Sequence, residues 1–437
     1  MINIACKYKN ANYIYHKPQQ NYSRKGNFIM GVKLGLVGLG AFGSAFAPLF
    51  ASHPLVDSVI LCDAEADKVE KQAADPVIAP KIAGKMLSLD EVCKSDCDAI
   101  VIITQPWLHA PQCIQVMESG KYVYSAVPVI SKPDDNEILD WCGKIIETVE
   151  RTGMEYMLGE TTIYRPQTMF CRRMAKQGLF GNFVYAEAEY AHDVDKSGCS
   201  LRDVAAFRSK GKIGEMKKQL MAPYFQRGCK NHPMSYPTHS VSGVVDVMRS
   251  KPLSVSAIGY ANNNNDPYFA NYDFSNITAF FKMDNGCALR VAEMREISPN
   301  VGLDDEDFRI FGTRGSYSMQ KWRDNGRVEP TTEPKVNKLT ELTPEMMRDP
   351  IPQEVADAFT EALIRKNSPV KDFLAAGHGG SHPYLVHEFV SAVAERRRPQ
   401  VSAWDAAMYM AMGVAAHQSA RKDGEIVKVV DFGKKWD

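Results

Sequence analysis

The chain has 437 residues, and its 52 lysine and arginine residues are balanced by 52 aspartate and glutamate residues. A chain of this length is expected to form two domains, and a net charge of zero argues against nucleic acid or an anionic membrane as a partner. No apolar run approaches the ~20 residues of a membrane span, and no group among the ten cysteines has zinc spacing. We therefore expect a cytoplasmic protein with reduced cysteines and no metal site.

Residues 1–30 are polar and rich in tyrosine, and they lack the apolar segment of a signal peptide. We predict a disordered leader, with Met30 as a candidate second start site. The alternative is an arm that packs on a neighbouring subunit.

From residue 31 to about residue 160, short apolar runs alternate with helical patterns, which predicts a Rossmann domain built on a doubly wound parallel sheet. Strands are predicted at 33–37, 58–62, 98–104, 122–124 and 155–159. Helices are predicted at 41–51, 65–74, 106–120 and 133–151, with a short helix capped by Ser88.

The first predicted strand runs into a glycine-rich turn composed of Gly38, Leu39, Gly40, Ala41, Phe42 and Gly43. In the dinucleotide-binding pattern the first glycine allows a tight turn, the second lets the backbone approach a pyrophosphate, and the third lets the helix pack closely on the strand. Asp63 follows the second strand, where it can accept hydrogen bonds from ribose hydroxyls. No arginine follows it directly, so a 2′-phosphate would meet negative charge, and the pattern favours NAD over NADP.

After residue 160 the pattern changes, and residues 161–437 are predicted to form an α+β domain with a large open, mainly antiparallel sheet. Predicted strands lie at 183–190, 253–260, 277–283, 287–293, 306–312 and 425–431. Predicted helices lie at 166–177, 241–248, 353–366, 383–397 and 405–421, and the stretch 328–352 is interpreted as a surface excursion. The C-terminal helices are expected to pack back on the first domain. The free sheet face is expected to cover the nucleotide site or to pair two subunits.

Polar residues follow two of the parallel strands at the edge where open α/β sheets bind ligands. Thr104, Gln105, Pro106 and His109 are predicted to line the nicotinamide side of the cofactor, although helix capping alone also explains the first three. Ala126 and Val127, at the end of another strand, are assigned to the same wall.

Two Tyr/His pairs stand at the ends of predicted elements in the second domain: Tyr190 with His192, and Tyr236 with His239. A tyrosine and a histidine beside a nicotinamide ring can move a hydroxyl proton while the carbon gives up hydride, and the ordinary histidine pKa of ~6.5 suits this chemistry. We assign all four as candidate catalytic residues, with Asp193 as a candidate for orienting His192.

Four further residues are candidates for contacting the substrate. Glu160, Tyr164 and Arg165 stand at the predicted domain junction, where the alternative is a polar network that joins the domains. His378 lies in the glycine-rich stretch Gly377-His378-Gly379-Gly380-Ser381-His382, which could close over a sugar. We do not assign His378 and His382 as a metal site, because no third ligand is clearly linked to them.

These features resemble the Gfo/Idh/MocA oxidoreductase family over roughly residues 32–434. The resemblance is carried by the glycine turn, Thr104 to His109, the strand Gly120-Lys-Tyr-Val-Tyr124 and the change of pattern near residue 160. It implies a Rossmann domain followed by an α/β sheet domain, bound NAD(P), a polyol or sugar substrate, and a homodimer or homotetramer built on the open sheet.

One departure narrows the interpretation. Most members carry Glu-Lys-Pro where this chain has Ala126-Val127-Pro128, so the lysine that polarises the substrate hydroxyl is absent. The Tyr/His motifs are instead similar to the NAD-dependent glycosidases of the α-N-acetylgalactosaminidase type and to glycoside 3-oxidoreductases. By that resemblance Tyr190, His192, Tyr236 and His239 map onto the catalytic set. The glycine stretch around His378 departs from the glycosidase pattern at Ser381-His382.

The sequence thus predicts an NAD-dependent oxidoreductase acting on a ring secondary hydroxyl of a sugar or glycoside, and the resemblance indicates C3. Two alternatives stay open. One is a glycoside hydrolase that uses NAD in a transient oxidation–elimination–addition–reduction cycle, and the other is a non-catalytic NAD(H)-binding regulator.

Overall fold

The structure is a computed structural model. It describes residues 31–195, 200–298, 306–327, 331–333, 337–370, 372–375 and 377–436. The predicted leader, residues 1–30, lies outside the described residues.

The first sheet of the described chain has six parallel strands. They are β1 (Val32–Val37), β2 (Val56–Cys62), β3 (Ile82–Met86), β4 (Ala99–Ile102), β5 (Tyr122–Ser125) and β6 (Tyr156–Leu158). Their order, β3-β2-β1-β4-β5-β6, is that of a doubly wound fold and confirms the predicted fold class. Strand β3 was not predicted, because its residues are half-buried or exposed and give no apolar run.

Helices flank this first sheet. They are α1 (Ala41–Ser52), α2 (Ala66–Ala73), α3 (Leu89–Lys94), α4 (His109–Glu118) and α5 (Asp135–Thr152). Ser88 forms a capping box with Glu91 at the start of α3, as expected from the sequence. Helix α4 begins at His109, three residues later than predicted, because residues 105–108 form a turn closed by a 2.8 Å bond from the Leu108 amide to the Gln105 carbonyl.

The second sheet has nine described strands, antiparallel except for one pair. They are β7 (Phe183–Ala191), β8 (Pro252–Tyr260), β9 (Asn276–Met283), β10 (Ala288–Met294), β11 (Glu306–Gly312), β12 (Gly315–Ser318), β13 (Lys321–Asp324), β14 (Lys338–Glu341) and β15 (Val427–Lys428). Their order is β14-β13-β12-β11-β7-β10-β9-β8-β15, and β7 and β10 run parallel. The mainly antiparallel sheet was predicted. The strands β12 to β14 were not, and β14 lies within the stretch predicted to be a surface excursion.

The remaining helices surround the second sheet and reach back to the first. They are α6 (Pro166–Lys176), α7 (Leu201–Arg208), α8 (Gly211–Gln226), α9 (Thr238–Met248), α10 (Pro344–Met347), α11 (Gln353–Arg365), α12 (Gly377–Gly380), α13 (His382–Glu395) and α14 (Ala403–Ala420). Helices α7 and α8 were not predicted. Helix α14 is buried almost throughout and packs against α5 and β8, so it joins the two sheets into one core. In α13, Phe389 packs on the rings of Phe50 and Tyr124, with centroids at 6.2 and 5.5 Å.

Among the described residues, no helix has both the length and the apolar character that a membrane span requires.

Candidate active site

The glycine turn between β1 and α1 has the shape that a dinucleotide requires. Gly38 has φ +93°, and a Cβ there would stand 2.3 Å from the Ile103 carbonyl oxygen. A Cβ on Gly43 would stand 1.8 Å from the Gly38 carbonyl oxygen, so α1 approaches the strand too closely for any side chain. A Cβ on Gly40 would meet nothing within 4 Å, which leaves the backbone open to a pyrophosphate at the helix N-terminus.

Asp63 lies beside this turn, as the fingerprint predicts. Its Oδ2 atom accepts a 2.8 Å hydrogen bond from the Leu39 amide, and Oδ1 accepts one of 3.0 Å from the Glu65 amide. The two bonds fix the carboxylate at the end of β2, where a ribose hydroxyl can reach it. The residues present therefore fit an NAD molecule, with its phosphates at the turn and its adenine ribose at Asp63.

The ends of β4 and β5 form the adjoining wall. The His109 ring is buried, with Nδ1 2.8 Å from the Pro128 carbonyl oxygen and Nε2 3.4 Å from the Thr104 carbonyl oxygen. Burial lowers the pKa of His109, so the ring is neutral and its single N–H can donate to only one of the two carbonyl oxygens. The Oε1 atom of Gln105 is buried without a hydrogen-bond partner among the described residues, as expected of a group that awaits a ligand. Ala126 and Val127 follow β5 directly in the same wall.

Three hydrogen-bonded side chains connect the end of β6 with the start of α9. Glu160, fully buried just after β6, accepts a 2.8 Å hydrogen bond at Oε1 from His239 Nδ1. The other ring nitrogen of His239, Nε2, lies 2.8 Å from the Tyr236 hydroxyl. His239 is held in the first turn of α9, and Tyr236 stands just before that helix. The geometry joins one carboxylate, one imidazole and one phenol into a path for a proton.

Burial and charge act in opposite directions on this chain. Burial lowers the pKa of His239, but the negative charges of Glu160 and Glu306 outweigh it and bring that pKa to about 9. Burial raises the pKa of the Tyr236 hydroxyl well above its usual range. Burial also opposes ionisation of Glu160, but the charge of His239 reverses this effect, and the net pKa of Glu160 is lowered. Glu160 and His239 therefore form an ion pair near neutral pH.

The second Tyr/His pair lies beside this chain. The Tyr190 ring stacks on His192 at 5.4 Å and meets the His239 ring edge-on at 5.2 Å. The Arg295 guanidinium lies 4.4 Å from the Tyr190 ring centroid, and its charge is balanced by Glu293 at 2.6 Å. The Asp193 carboxylate accepts a hydrogen bond from the Asp195 amide. The structure thus brings Tyr190, His192, Tyr236 and His239 together.

The glycine-rich stretch from Gly377 to His382 also contacts the Tyr/His residues. The His378 ring stacks on His239 with centroids 6.3 Å apart, and its Nδ1 atom is 2.9 Å from His382 Nε2. Burial lowers the pKa of both residues of this pair, that of His382 to about 3. Phe42, from the glycine turn, packs edge-on against both rings at 6.3 and 5.9 Å. The cofactor turn and the histidine stretch are therefore in direct contact.

Tyr164 and Arg165, at the predicted domain junction, contact residues from distant parts of the sequence. Tyr164 is buried and stacks on Tyr384 at 6.5 Å. Arg165 donates to Glu306 Oε1 at 2.8 Å, and the other Glu306 oxygen accepts a 2.6 Å bond from the Thr162 hydroxyl. Glu306 was not singled out from the sequence, where it is only the first residue of a strand pattern. Its hydrogen bond with Thr162 joins residues that are 144 positions apart in the sequence, so no local pattern could indicate it.

One other cluster of described residues brings together three groups of the kind that bind metals: Asp135, His232 and His417. The two imidazole rings stack almost parallel, 3.6 Å apart at 5°. One ion cannot lie in the planes of two rings stacked in this way, which good imidazole ligation requires. The ring nitrogens lie 2.9 to 3.1 Å from the Asp135 carboxylate, and His417 also reaches Asp273 at 3.0 Å. We interpret the cluster as a set of hydrogen bonds and ion pairs between the histidines and the carboxylates, with a structural role.

The fold and this site define a dinucleotide-binding protein in which a glycine turn faces a Tyr/His proton path. Residues 32–158 match the model described as an oxidoreductase family with an NAD-binding Rossmann fold, and residues 232–429 match the C-terminal alpha/beta domain of the same family. The chain belongs to the Gfo/Idh/MocA oxidoreductase family, as its sequence motifs predicted, and its cofactor is NAD.

Curated relatives match part of the chain. An alpha-N-acetylgalactosaminidase from Shewanella oneidensis is 31% identical over 202 residues, which cover 44% of this chain and 42% of that protein. A glycosyl hydrolase family 109 protein from Shewanella putrefaciens is 30% identical over 193 residues, covering 42% and 41%. The match thus spans about two fifths of the length of these relatives.

Solved structures match nearly the whole chain. Levoglucosan dehydrogenase in complex with NADH has a TM-score of 0.67 at 16% identity, covering 92% of this chain and all of that one. The WlbA dehydrogenase from Bordetella pertussis, in complex with NADH and UDP-GlcNAcA, has a TM-score of 0.63 at 16% identity, covering 92% and 98%. At this identity the likeness establishes the fold.

Proposed function

We propose that this protein is an NAD-dependent oxidoreductase that acts on a sugar or glycoside at a ring secondary hydroxyl, preferentially C3. The observation that carries the proposal is the Glu160–His239–Tyr236 chain. It lies at the carboxyl edge of the parallel sheet, where such folds bind their ligands. NAD, when bound, supplies the acceptor for the hydride that leaves the sugar carbon.

The chain's own residues handle the proton. The Tyr236 oxygen accepts the proton of the sugar hydroxyl, while the phenolic proton passes to His239 Nε2, 2.8 Å away. In molecules whose His239 is unprotonated, Nδ1–H donates to Glu160, and Nε2 presents its lone pair to the phenol. The Glu160 carboxylate then stabilises the imidazolium that forms. This path would replace the lysine that the family resemblance implies at the position of Val127.

The neighbouring aromatic residues hold the sugar. Tyr190 and His192 present stacked rings beside His239. The Arg295 guanidinium lies over one face of Tyr190, and the His378 ring stacks on His239. Together they orient the ring hydroxyl towards Tyr236 and restrict water.

The test is a mixed panel of glycosides incubated with the purified protein and NAD. We expect NADH to appear at 340 nm together with a keto-sugar identified by mass spectrometry. If the nicotinamide stays oxidised with every glycoside and no keto-sugar forms, the proposal is wrong.

A second candidate is hydrolysis of a glycoside, favoured by the alpha-N-acetylgalactosaminidase name of a curated relative. In that reaction oxidation at C3 is transient and makes the C2 proton acidic. The C1 substituent is then eliminated, water adds, and the C3 carbonyl is reduced again. It predicts free sugar without net NADH, and deuterium at C2 of the product in D2O. Turnover without C2 exchange would exclude it.

We further propose a homodimer or homotetramer formed through the open face of the second sheet. Ile258, Tyr260 and Phe280 lie on that face of β8 and β9, and they are 62%, 46% and 54% exposed. Apolar residues exposed together in this way are typical of interfaces.

We also propose a boundary between two domains near residue 160. A cytoplasmic location is supported by the eight described cysteines, all of which are free.

A further inference from the structure

The helices α7 and α8 cover the loop that follows β4. In α8, Met221 and Tyr224 form a small apolar cluster with Trp107, separate from the main core. This cluster holds α8 against the loop that leads from Gln105 to His109. Side chains on that side of α8 therefore lie next to the wall formed by these residues.

Arg208 and Lys217 have no ion-pair partner among the described residues, whereas Arg202 is paired with Asp195 and Asp266. Arg208 is the last residue of α7, and the Lys217 ammonium of α8 lies 5.5 Å from the centre of the Trp107 ring. The other lysines of α8, Lys212 and Lys218, are also unpaired in the described part of the chain but are exposed, so its half-buried place against Trp107 is what distinguishes Lys217.

The surroundings of the two cations connect them with the catalytic chain. The charge of Arg208 is close enough to act on Tyr236 and Tyr268, and it also acts on His109 and Lys217. Burial lowers the pKa of both Arg208 and Lys217, and Arg208 adds to the effect on Lys217. Arg208 nevertheless remains open to solvent. Two like charges that share a partly dehydrated crevice are unfavourable until an anion joins them.

Trp107 adds a donor to the same place. Its indole N–H is buried without a hydrogen-bond partner among the described residues, and the side chain is only 3% exposed. Buried indole groups normally find an acceptor. An anionic oxygen between α7, α8 and the loop after β4 would supply one.

We propose that Arg208, Lys217 and the Trp107 indole form a subsite for an anionic group carried by the sugar, so that the substrate is an acidic sugar. The proposal rests on the function proposed above. A carboxylate, a sulfate and a phosphate share the required chemistry, because each offers charged oxygen acceptors to a guanidinium and an ammonium. We assign the anion to the sugar and not to the cofactor for two reasons. The dinucleotide phosphates have donors of their own at the glycine turn. The Arg208 charge acts on Tyr236 and Tyr268, which belong to the second half of the chain.

The test measures binding by calorimetry with NAD at saturation. The probes are matched pairs: glucuronic acid with glucose, galacturonic acid with galactose, and N-acetylgalactosamine 6-sulfate with N-acetylgalactosamine. At least one acidic member should bind about tenfold or more tightly than its neutral partner, as expected of hydrogen bonds to charged groups. That advantage should shrink as salt is raised.

The variants are Arg208→Leu and Lys217→Met, with Lys218→Met as the control. Lys218 lies next to Lys217 on α8 but is exposed. Each of the first two should reduce the ratio of acidic to neutral affinity about tenfold, and the control should keep it. Thermal melting of each variant establishes that it is folded.

Three results would overturn the subsite: equal affinity for both members of every pair, no binding of any acidic sugar, or variants that weaken NAD and leave the ratio intact. The last result would assign the cations to the cofactor phosphates. Failure of the proposed function is a separate outcome. In that case acidic sugars bind with the expected ratio, but none is oxidised.

Discussion

At the scale of single residues, His239 is the side chain on which the chemistry depends. It lies between a carboxylate and a phenol, each 2.8 Å from one ring nitrogen. The charge of Glu160 makes it a stronger base than an ordinary histidine, with a pKa of about 9. The same charge keeps most His239 rings protonated at neutral pH. The ring is therefore a stronger base, but only the minority of molecules with an unprotonated ring can accept a proton.

The pH dependence of sugar oxidation follows from this balance. Because only unprotonated His239 can accept the proton, kcat/KM should rise with pH and level off above about 9. Glu160→Gln removes the charge that raises the His239 pKa, so the midpoint should move to lower pH. The control is Glu155→Gln, another carboxylate near β6 that pairs with Arg398 instead. An unchanged midpoint in Glu160→Gln would contradict the assignment.

Tyr236 is expected to be as important as His239, because it is the member of the chain that faces the sugar. Tyr236→Phe should lower kcat/KM by about 10²–10⁴, the usual contribution of a general acid or base, and NAD affinity should stay unchanged. The double variant with His239→Asn should be little worse than either single one, because the two residues act as a unit. Tyr122→Phe, in β5, is the control. Additive losses would mean that the two side chains act separately.

At the scale of elements, α14 is the piece that ties the two sheets together. Its residue His417 reaches Asp135 at the start of α5 and Asp273 ahead of β9, at 2.9 and 3.0 Å. Burial lowers the pKa of His417, but hydrogen bonds to the two carboxylates outweigh it and the net pKa is raised. His232, stacked on it, is kept neutral, because burial and the His417 charge bring its pKa to about 4. One charged ring thus neutralises carboxylates from two separate elements.

Removing that ring should destabilise the fold. His417→Gln leaves two carboxylates without their shared cation, and the free energy of unfolding should fall by about 3 kcal/mol, the loss typical of a broken buried pair. Because the folded-state pKa is raised above the unfolded value of ~6.5, the difference from the wild type is full below that pH. It shrinks as pH rises through the folded pKa. Urea unfolding at pH 6 and pH 9 checks both statements, with Gln418→Ala as control; equal losses at the two pH values would contradict them.

At the scale of the whole molecule, the open face of the second sheet is the surface through which we propose that copies of the chain meet. Phe280 is more than half exposed there, beside Ile258 on the neighbouring strand, while the rest of the face carries ion pairs such as Arg290 with Glu187. An apolar patch bordered by paired charges has the composition of an interface with a polar rim.

Phe280→Glu should therefore reduce the molar mass measured by light scattering to that of one chain. A charge placed in an apolar contact must be buried without a partner. Leu87→Glu is the control, since Leu87 is 52% exposed but lies away from this sheet. A mass that is unchanged in Phe280→Glu would locate the interface elsewhere.

The sequence predicted what local patterns encode and missed what distant contacts decide. The glycine turn, Asp63 and the alternating first half led directly to the first sheet. The short strands β12 to β14 are held by hairpin pairing at a sheet edge and have little apolar pattern of their own. The link between Glu160 and His239 spans 79 residues, so the sequence could name both residues but not their pairing.

The contact of Phe42 with His378 and His382 has a thermodynamic consequence. Phe42 belongs to the turn that receives the cofactor, and the two histidines belong to the stretch that we propose closes over the sugar. If cofactor binding moves the Phe42 ring, the support of the histidine stretch changes with it. Linkage then requires that the two ligands alter each other's affinity by the same factor, whichever binds first.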